Sequence, residues 1–75
     1  ENVDIDIVSN IAKDFLYVKS DERLVYASIL EINGKIRKTF NHNERKLNVS
    51  SLQHGIYLLR LVSENNTVVK RFLKI

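Results

Sequence analysis

Apolar and polar positions alternate with a period of two along most of this chain, and no window of about eleven residues keeps a clean 3.6-residue period. Successive side chains of a strand point to opposite faces, so the pattern predicts an all-β fold. Ile5 and Ile7 alternate with Asp4 and Asp6, with Val3 in the same phase, and residues 15–18 form a short apolar strand. Residues 24–32 make a longer one, rich in β-branched and aromatic side chains. Asn33-Gly34 follows, the strongest two-residue hairpin signal, because a type I′ turn needs positive φ at both central positions. Residues 24–32 are therefore expected to pair with 35–41. The polar stretch 41–45 reads as a loop, Leu47 and Val49 open another strand, and residues 50–55 form a tight turn closed by Gly55. Asn65-Asn66 predicts a second turn of the same chemistry, joining residues 56–62 to 68–75.

Counting these segments gives an immunoglobulin-like antiparallel β-sandwich of about seven short strands, the inward residues of two sheets sharing one core. Phe15, Val25, Ala27, Ile29, Ile36, Leu47, Val49, Leu52, Tyr57, Leu59 and Leu61 are the expected core. The last strand is mixed in both phases: Val69, Leu73 and Ile75 alternate in step with Arg71, Val68 and Phe72 with Lys70 and Lys74. A chain end frays unless something ties it into a sheet. A final strand patterned this fully is either part of the core or is read by a partner at an edge.

Composition narrows the function. Seventy-five residues, 44% of them apolar, make one domain near the size at which a single core suffices, burying about 60% of its unfolded surface. Without cysteine there is no disulfide, no thiol nucleophile and no cysteine-based zinc site. The absence of methionine and the start at Glu1 suggest a piece of a longer polypeptide, with any leader upstream. Up to Gly34 three basic residues face seven acidic ones, a balance of −4; from Lys35 onward nine face two, a balance of +7. The C-terminal half is thus a basic object, through lysines guarding strand edges or through a basic surface that is read.

Catalytic candidates lack partners. His42 and His54 sit in expected turns without carboxylate or cysteine at ligand spacing, Asp4 and Asp6 lack the further oxygens a calcium site needs, and Ser50 and Ser51 stand in no nucleophile elbow. With two glycines there is no phosphate-cradling loop. No enzyme activity, metal or cofactor is expected. The tyrosines are not interleaved with the basic run, so no nucleic acid is expected, and no apolar run is long enough for a membrane-spanning helix.

"NIAKDFLYV", "ILEINGKIRKTF" and "LNVSSLQHGIYLLRLVSENNTVVKRFLKI", in that order, resemble the type A C-terminal sorting domain of the type IX secretion system, over about residues 8–75. The family's entry segment corresponds to Asn10 and Ala12, its hairpin to Gly34 and Lys35, and its Leu-x-x-Gly-x-Tyr segment to Leu52, Gly55 and Tyr57. Its closing basic-apolar strand corresponds to Lys70, Arg71, Phe72, Leu73, Lys74 and Ile75. The chain departs from the family at Ser9-Asn10-Ile11, where Pro-Asn-Pro is usual, and Arg71 stands where lysine is common. The resemblance implies an address carried at the end of an exported protein. That address would be read by translocon, shuttle and sortase-like components through residues 70–75, with cleavage and surface attachment or release to follow. It implies no membrane insertion and leaves a strand-exchanged homodimer open. The rival is an immunoglobulin-like or fibronectin-like adhesion or sugar-binding module, which would expose planar aromatics on one face.

Overall fold

The computed structural model describes residues 4–75 and contains eight strands and no helix among them. The strands are β1 (Ile5–Ile7), β2 (Ile11–Ala12), β3 (Phe15–Ser20), β4 (Leu24–Leu30), β5 (Ile36–Asn41), β6 (Lys46–Asn48), β7 (Gly55–Ser63) and β8 (Thr67–Lys74). They form a three-stranded sheet, β1-β3-β6, and a five-stranded sheet, β2-β8-β7-β4-β5, that close on one core as a sandwich. All pairings are antiparallel except β2 with β8, which is parallel. The chain changes sheets between β1 and β2, so its first segment touches both layers. Val3 lies outside the described residues.

Alternation decides which residues fill the core. Leu16 and Val18 of β3 point inward against Leu47 of β6, while Leu59, Leu61 and Phe72 meet them from the other sheet, all buried. Each such side chain contributes roughly 1.5–3 kcal/mol through removal from water. Ala27, Ile29, Leu47, Val49, Leu52, Tyr57, Leu59 and Leu61 are buried as the pattern predicts. Phe15, Val25 and Ile36 are not. Phe15 shares the outward phase of β3 with Tyr17, because Leu16 is the residue set opposite Leu47. The register shift between Leu24 and Tyr26 inserts a residue, so Leu24 and Ala27 both face inward and Val25 stays 54% exposed. A second shift in the β4–β5 pairing leaves Ile36 outside and gives Phe40 the core position.

The turns also differ from expectation. Of Asn33-Gly34 only Gly34 has positive φ, 93°. Its N–H donates to the Glu31 carbonyl at 2.8 Å, and the Glu31 N–H to the Lys35 carbonyl at 2.8 Å. This is a longer loop with glycine at the left-handed position, not a two-residue type I′ turn. Asn65 and Asn66 both keep negative φ: the Ser63 N–H donates to the Asn66 carbonyl at 2.8 Å, so Glu64 and Asn65 form the tip. Two consecutive left-handed residues occur instead at His42 and Asn43, with φ of 62° and 61°, where the chain passes from β5 to the other sheet.

That corner anchors one pole of the sandwich. The Arg45 guanidinium donates to the carbonyls of Ser20 at 2.7 Å and Glu22 at 3.0 Å and to the Asn43 side-chain oxygen, which also accepts from the Leu24 N–H at 2.8 Å. Across the same pole the Glu22 carboxylate accepts from the Ser63 hydroxyl and from the Asn66 amide at 3.0 and 3.1 Å. The Ser63 hydroxyl, and then Asn66, hold the Glu22 carboxyl below its ordinary 4.5. A lowered folded-state value stabilises the fold above the ordinary value, and that contribution is lost as pH falls through the folded value. Thermal unfolding should show wild type losing its advantage over Glu22→Gln as pH drops below 4.5. Parallel pH profiles for the two proteins would refute the linkage.

Candidate recognition surface

The Leu52, Gly55, Tyr57 spacing builds a corner at the entry to β7. Leu52 is buried, and its N–H donates to the Val49 carbonyl at 3.0 Å. Gly55 starts β7 with φ of 147°, a conformation side chains with a Cβ rarely adopt. A methyl group at Gly55 would meet no atom within 4 Å, so the backbone angle alone, and no close approach, calls for glycine. Two residues on, the buried Tyr57 turns its hydroxyl back to donate to the Gln53 carbonyl at 2.9 Å. Its ring stacks on Phe72 of β8, centroids 5.8 Å apart and planes 24° apart.

These residues position the end of β8. Gly55 pairs with Lys74 and Tyr57 with Phe72 on one side. On the other side the Asn10 carbonyl accepts from the Leu73 N–H at 2.8 Å, and the Ala12 carbonyl from the Ile75 N–H at 2.9 Å. Asn10, Gly55 and Tyr57 therefore converge on the final residues. Gly34 and Lys35 do not: they lie on the β4–β5 hairpin, where the Lys35 N–H donates to the Asn33 side chain at 3.0 Å. The expected edge position of the last strand is corrected over Leu73 and Lys74, which β2 covers. Two residues are too few for β2 to announce itself by periodicity.

β8 resolves its two mixed phases. Phe72 and Lys74 are buried on the inward side, and the Lys74 ammonium donates to the Ile75 main-chain oxygen at 2.8 Å. Lys70, also of this phase, reaches across the open side of the sandwich to Asp6 of β1 at 3.5 Å. The Ile7 N–H, at 2.7 Å, is the larger cause that lowers the Asp6 carboxyl, with Lys70 adding to it. Val69, Arg71, Leu73 and Ile75 face outward and are exposed. Of the residues singled out in the closing strand, Arg71, Leu73 and Ile75 are thus presented at the surface, while Phe72 and Lys74 belong to the interior.

The backbone of β8 is open over its first half. The ladder parity that points the N–H groups of Leu73 and Ile75 at β2 also points those of Thr67, Val69 and Arg71 away from β7. Among the described residues, β2 is the strand on that side, and its register covers only Leu73 and Lys74. A groove of about 410 Å³, lined by Asn10, Ile11, Ile56, Arg71, Phe72 and Leu73, lies where β2 departs. A second hollow, of about 530 Å³, continues between the segment from Asp6 to Asn10 and Lys70 with Arg71. Sequence reasoning placed Val69 only in a mixed phase and Asp6 only in an incomplete calcium pair, and missed the groove, because the role of each depends on what lies beside β8. No group of three or more metal-binding side chains occurs among the described residues.

A family model described as secretion system C-terminal sorting domain matches residues 4–75. No curated protein and no solved structure matches the chain.

Three substitutions at two positions test the corner. Gly55→Ala and Gly55→Val should each lower unfolding free energy in urea by about 1–3 kcal/mol, since strain and not crowding is the cause. A neutral result for either would remove that role. Tyr57→Phe should cost about 0.5–1.5 kcal/mol, the net worth of one hydrogen bond. An unchanged midpoint would show that the bond to Gln53 contributes nothing.

Proposed function

The chain belongs to the family of secretion system C-terminal sorting domains, and from that premise we propose that it works as a folded address, read on its surface by type IX secretion components and then removed by proteolysis. The family directs proteins through the outer membrane to the cell surface or the extracellular space. The observation that carries the reading is the extent of the match, which spans all eight strands. The translocon, shuttle and sortase-like components are the partners proposed, and attachment or release of the cargo is the step proposed to follow cleavage.

An address must present a surface, and the outward residues of β8 supply one: Arg71, Leu73 and Ile75, with Val69 beside them. Phe72, Lys74, Gly55 and Tyr57 serve the same end from within by fixing where that strand lies. The immunoglobulin-like assignment of the sandwich is part of this reading. It is supported by the switch of sheets between β1 and β2 and by the tyrosine hydroxyl bonded back to the preceding turn.

One observation favours the adhesion or sugar-binding alternative. Phe15 and Tyr17 are both exposed on β3, with centroids 6.3 Å apart. Their planes are tilted by 42°, however, so they form no flat platform, and the Lys46 ammonium sits over the Phe15 ring, 4.4 Å from its centre.

A fluorescent reporter carrying a signal peptide ahead of it and this chain behind it, expressed in a host with a type IX system, tests the function. The fusion should appear outside the outer membrane, and the same fusion lacking β8 should remain periplasmic or be degraded. A folded wild-type fusion that never leaves the periplasm would overturn the sorting role.

A further inference from the structure

We propose that the open edge of β8, residues 67–71, receives an extended acidic segment of a partner protein as an added strand of the five-stranded sheet. The proposal names the partner chemistry of the sorting surface, and rests on the sorting reading only for its biological setting.

Four features lead to it. Thr67, Val69 and Arg71 turn their main-chain groups outward, and β2 pairs only with Leu73 and Lys74, so among the described residues both donors and acceptors stand unused over about 16 Å of edge at ~3.3 Å per residue. Alternating donors and acceptors match a polypeptide strand, whereas a phosphate backbone offers acceptors alone. The β7–β8 register runs without a shift from Gly55 to Val62, so this edge is regular along its length. The opposite edge of the sheet, β5, is guarded: its pairing is bulged, Arg37 and Lys38 lie on it, and Lys38 reaches to the Asn48 carbonyl at 2.8 Å.

Charge selects the occupant. Arg71 stands exposed on the edge and Arg60 of β7 sits directly across from Val69, while Lys70, on the inner side, is already paired with Asp6. The Nε–H of Arg60 is shielded from solvent with no acceptor among the described residues, an unused donor in the cross-strand row that a new strand would extend. Two copies of this edge laid together would gather Arg60 and Arg71 of each onto the joined sheet, like charge beside like, which disfavours a second copy of this chain. A strand alternating acidic and apolar residues satisfies the backbone, the arginines and the exposed Val69 together.

The inference is tested on the 75-residue chain with a short synthetic peptide alternating glutamate and valine, and with its lysine–valine counterpart. The acidic peptide should slow amide exchange at Val69 and Arg71 and bind about tenfold or more tighter than the basic one. Val69→Pro removes one outward N–H without touching the β7 ladder and should weaken binding about tenfold or more, while Thr39→Pro on the outward side of β5 should not. If Val69→Pro does not fold, Arg71→Glu serves, with the same loss expected. Equal binding of the two peptides, no added protection at Val69 and Arg71, or dimerisation through this edge in sedimentation would overturn the proposal.

The export assay separates the two readings. Acidic-peptide binding by a wild type that is not exported would sink sorting and leave the edge site standing. Export unimpaired by a folded Val69→Pro or Arg71→Glu, with the wild type exported, would sink the edge site and leave sorting standing.

Discussion

Residues 55–74 are organised by one antiparallel pairing, β7 with β8, and most of the architecture follows from it. Its unbroken register sets Tyr57, Leu59 and Leu61 in phase with Phe72 on the core side. The same ladder presents β7 to β4 on one side and the last residues of β8 to β2 on the other. A strand of eight residues hydrogen-bonded along one side and clamped at its end on the other does not fray. In a small domain with no cross-link, that pairing substitutes for a staple.

The two poles of the sandwich are closed by different chemistry. At one, Arg45, Asn43 and Glu22 join three connections through charged and amide side chains, most of them bonding to main-chain groups. At the other, a glycine in a conformation other residues resist and a tyrosine hydroxyl hold the turn into β7. The Ser63 hydroxyl and the Asn66 amide hold the Glu22 carboxyl low, so acid weakens the polar closure through Glu22 directly.

Such an arrangement suits a domain whose product is a surface. The residues that look most distinctive in sequence, Leu52, Gly55, Tyr57, Phe72 and Lys74, are buried or committed to backbone geometry. What they hold in place is an outward row of Val69, Arg71, Leu73 and Ile75 beside an open backbone edge. Recognition by strand addition needs a rigid edge more than particular side chains, and rigidity is what the inward residues provide.

Period-two alternation determined the all-β class and most of the core, Asn65-Asn66 the pairing of residues 56–62 with the terminal strand, and the Leu52, Gly55 and Tyr57 spacing carried the family resemblance. Alternation specifies that neighbours face opposite ways, but which of the two ways is inward depends on register, and an inserted residue reverses it. That is why Val25 and Ile36 came out exposed where the pattern alone placed them in the core, and why Leu24 and Phe40 are buried instead. The Asn-Gly and Asn-Asn pairs marked where the chain turns but not the turn type, which the facing strands set through the residues they leave unpaired. Only the tertiary structure decided that the final strand is covered at its end by β2 and open at its beginning, because a two-residue strand has no period to detect and a neighbour far off in sequence leaves no local mark on the strand it covers.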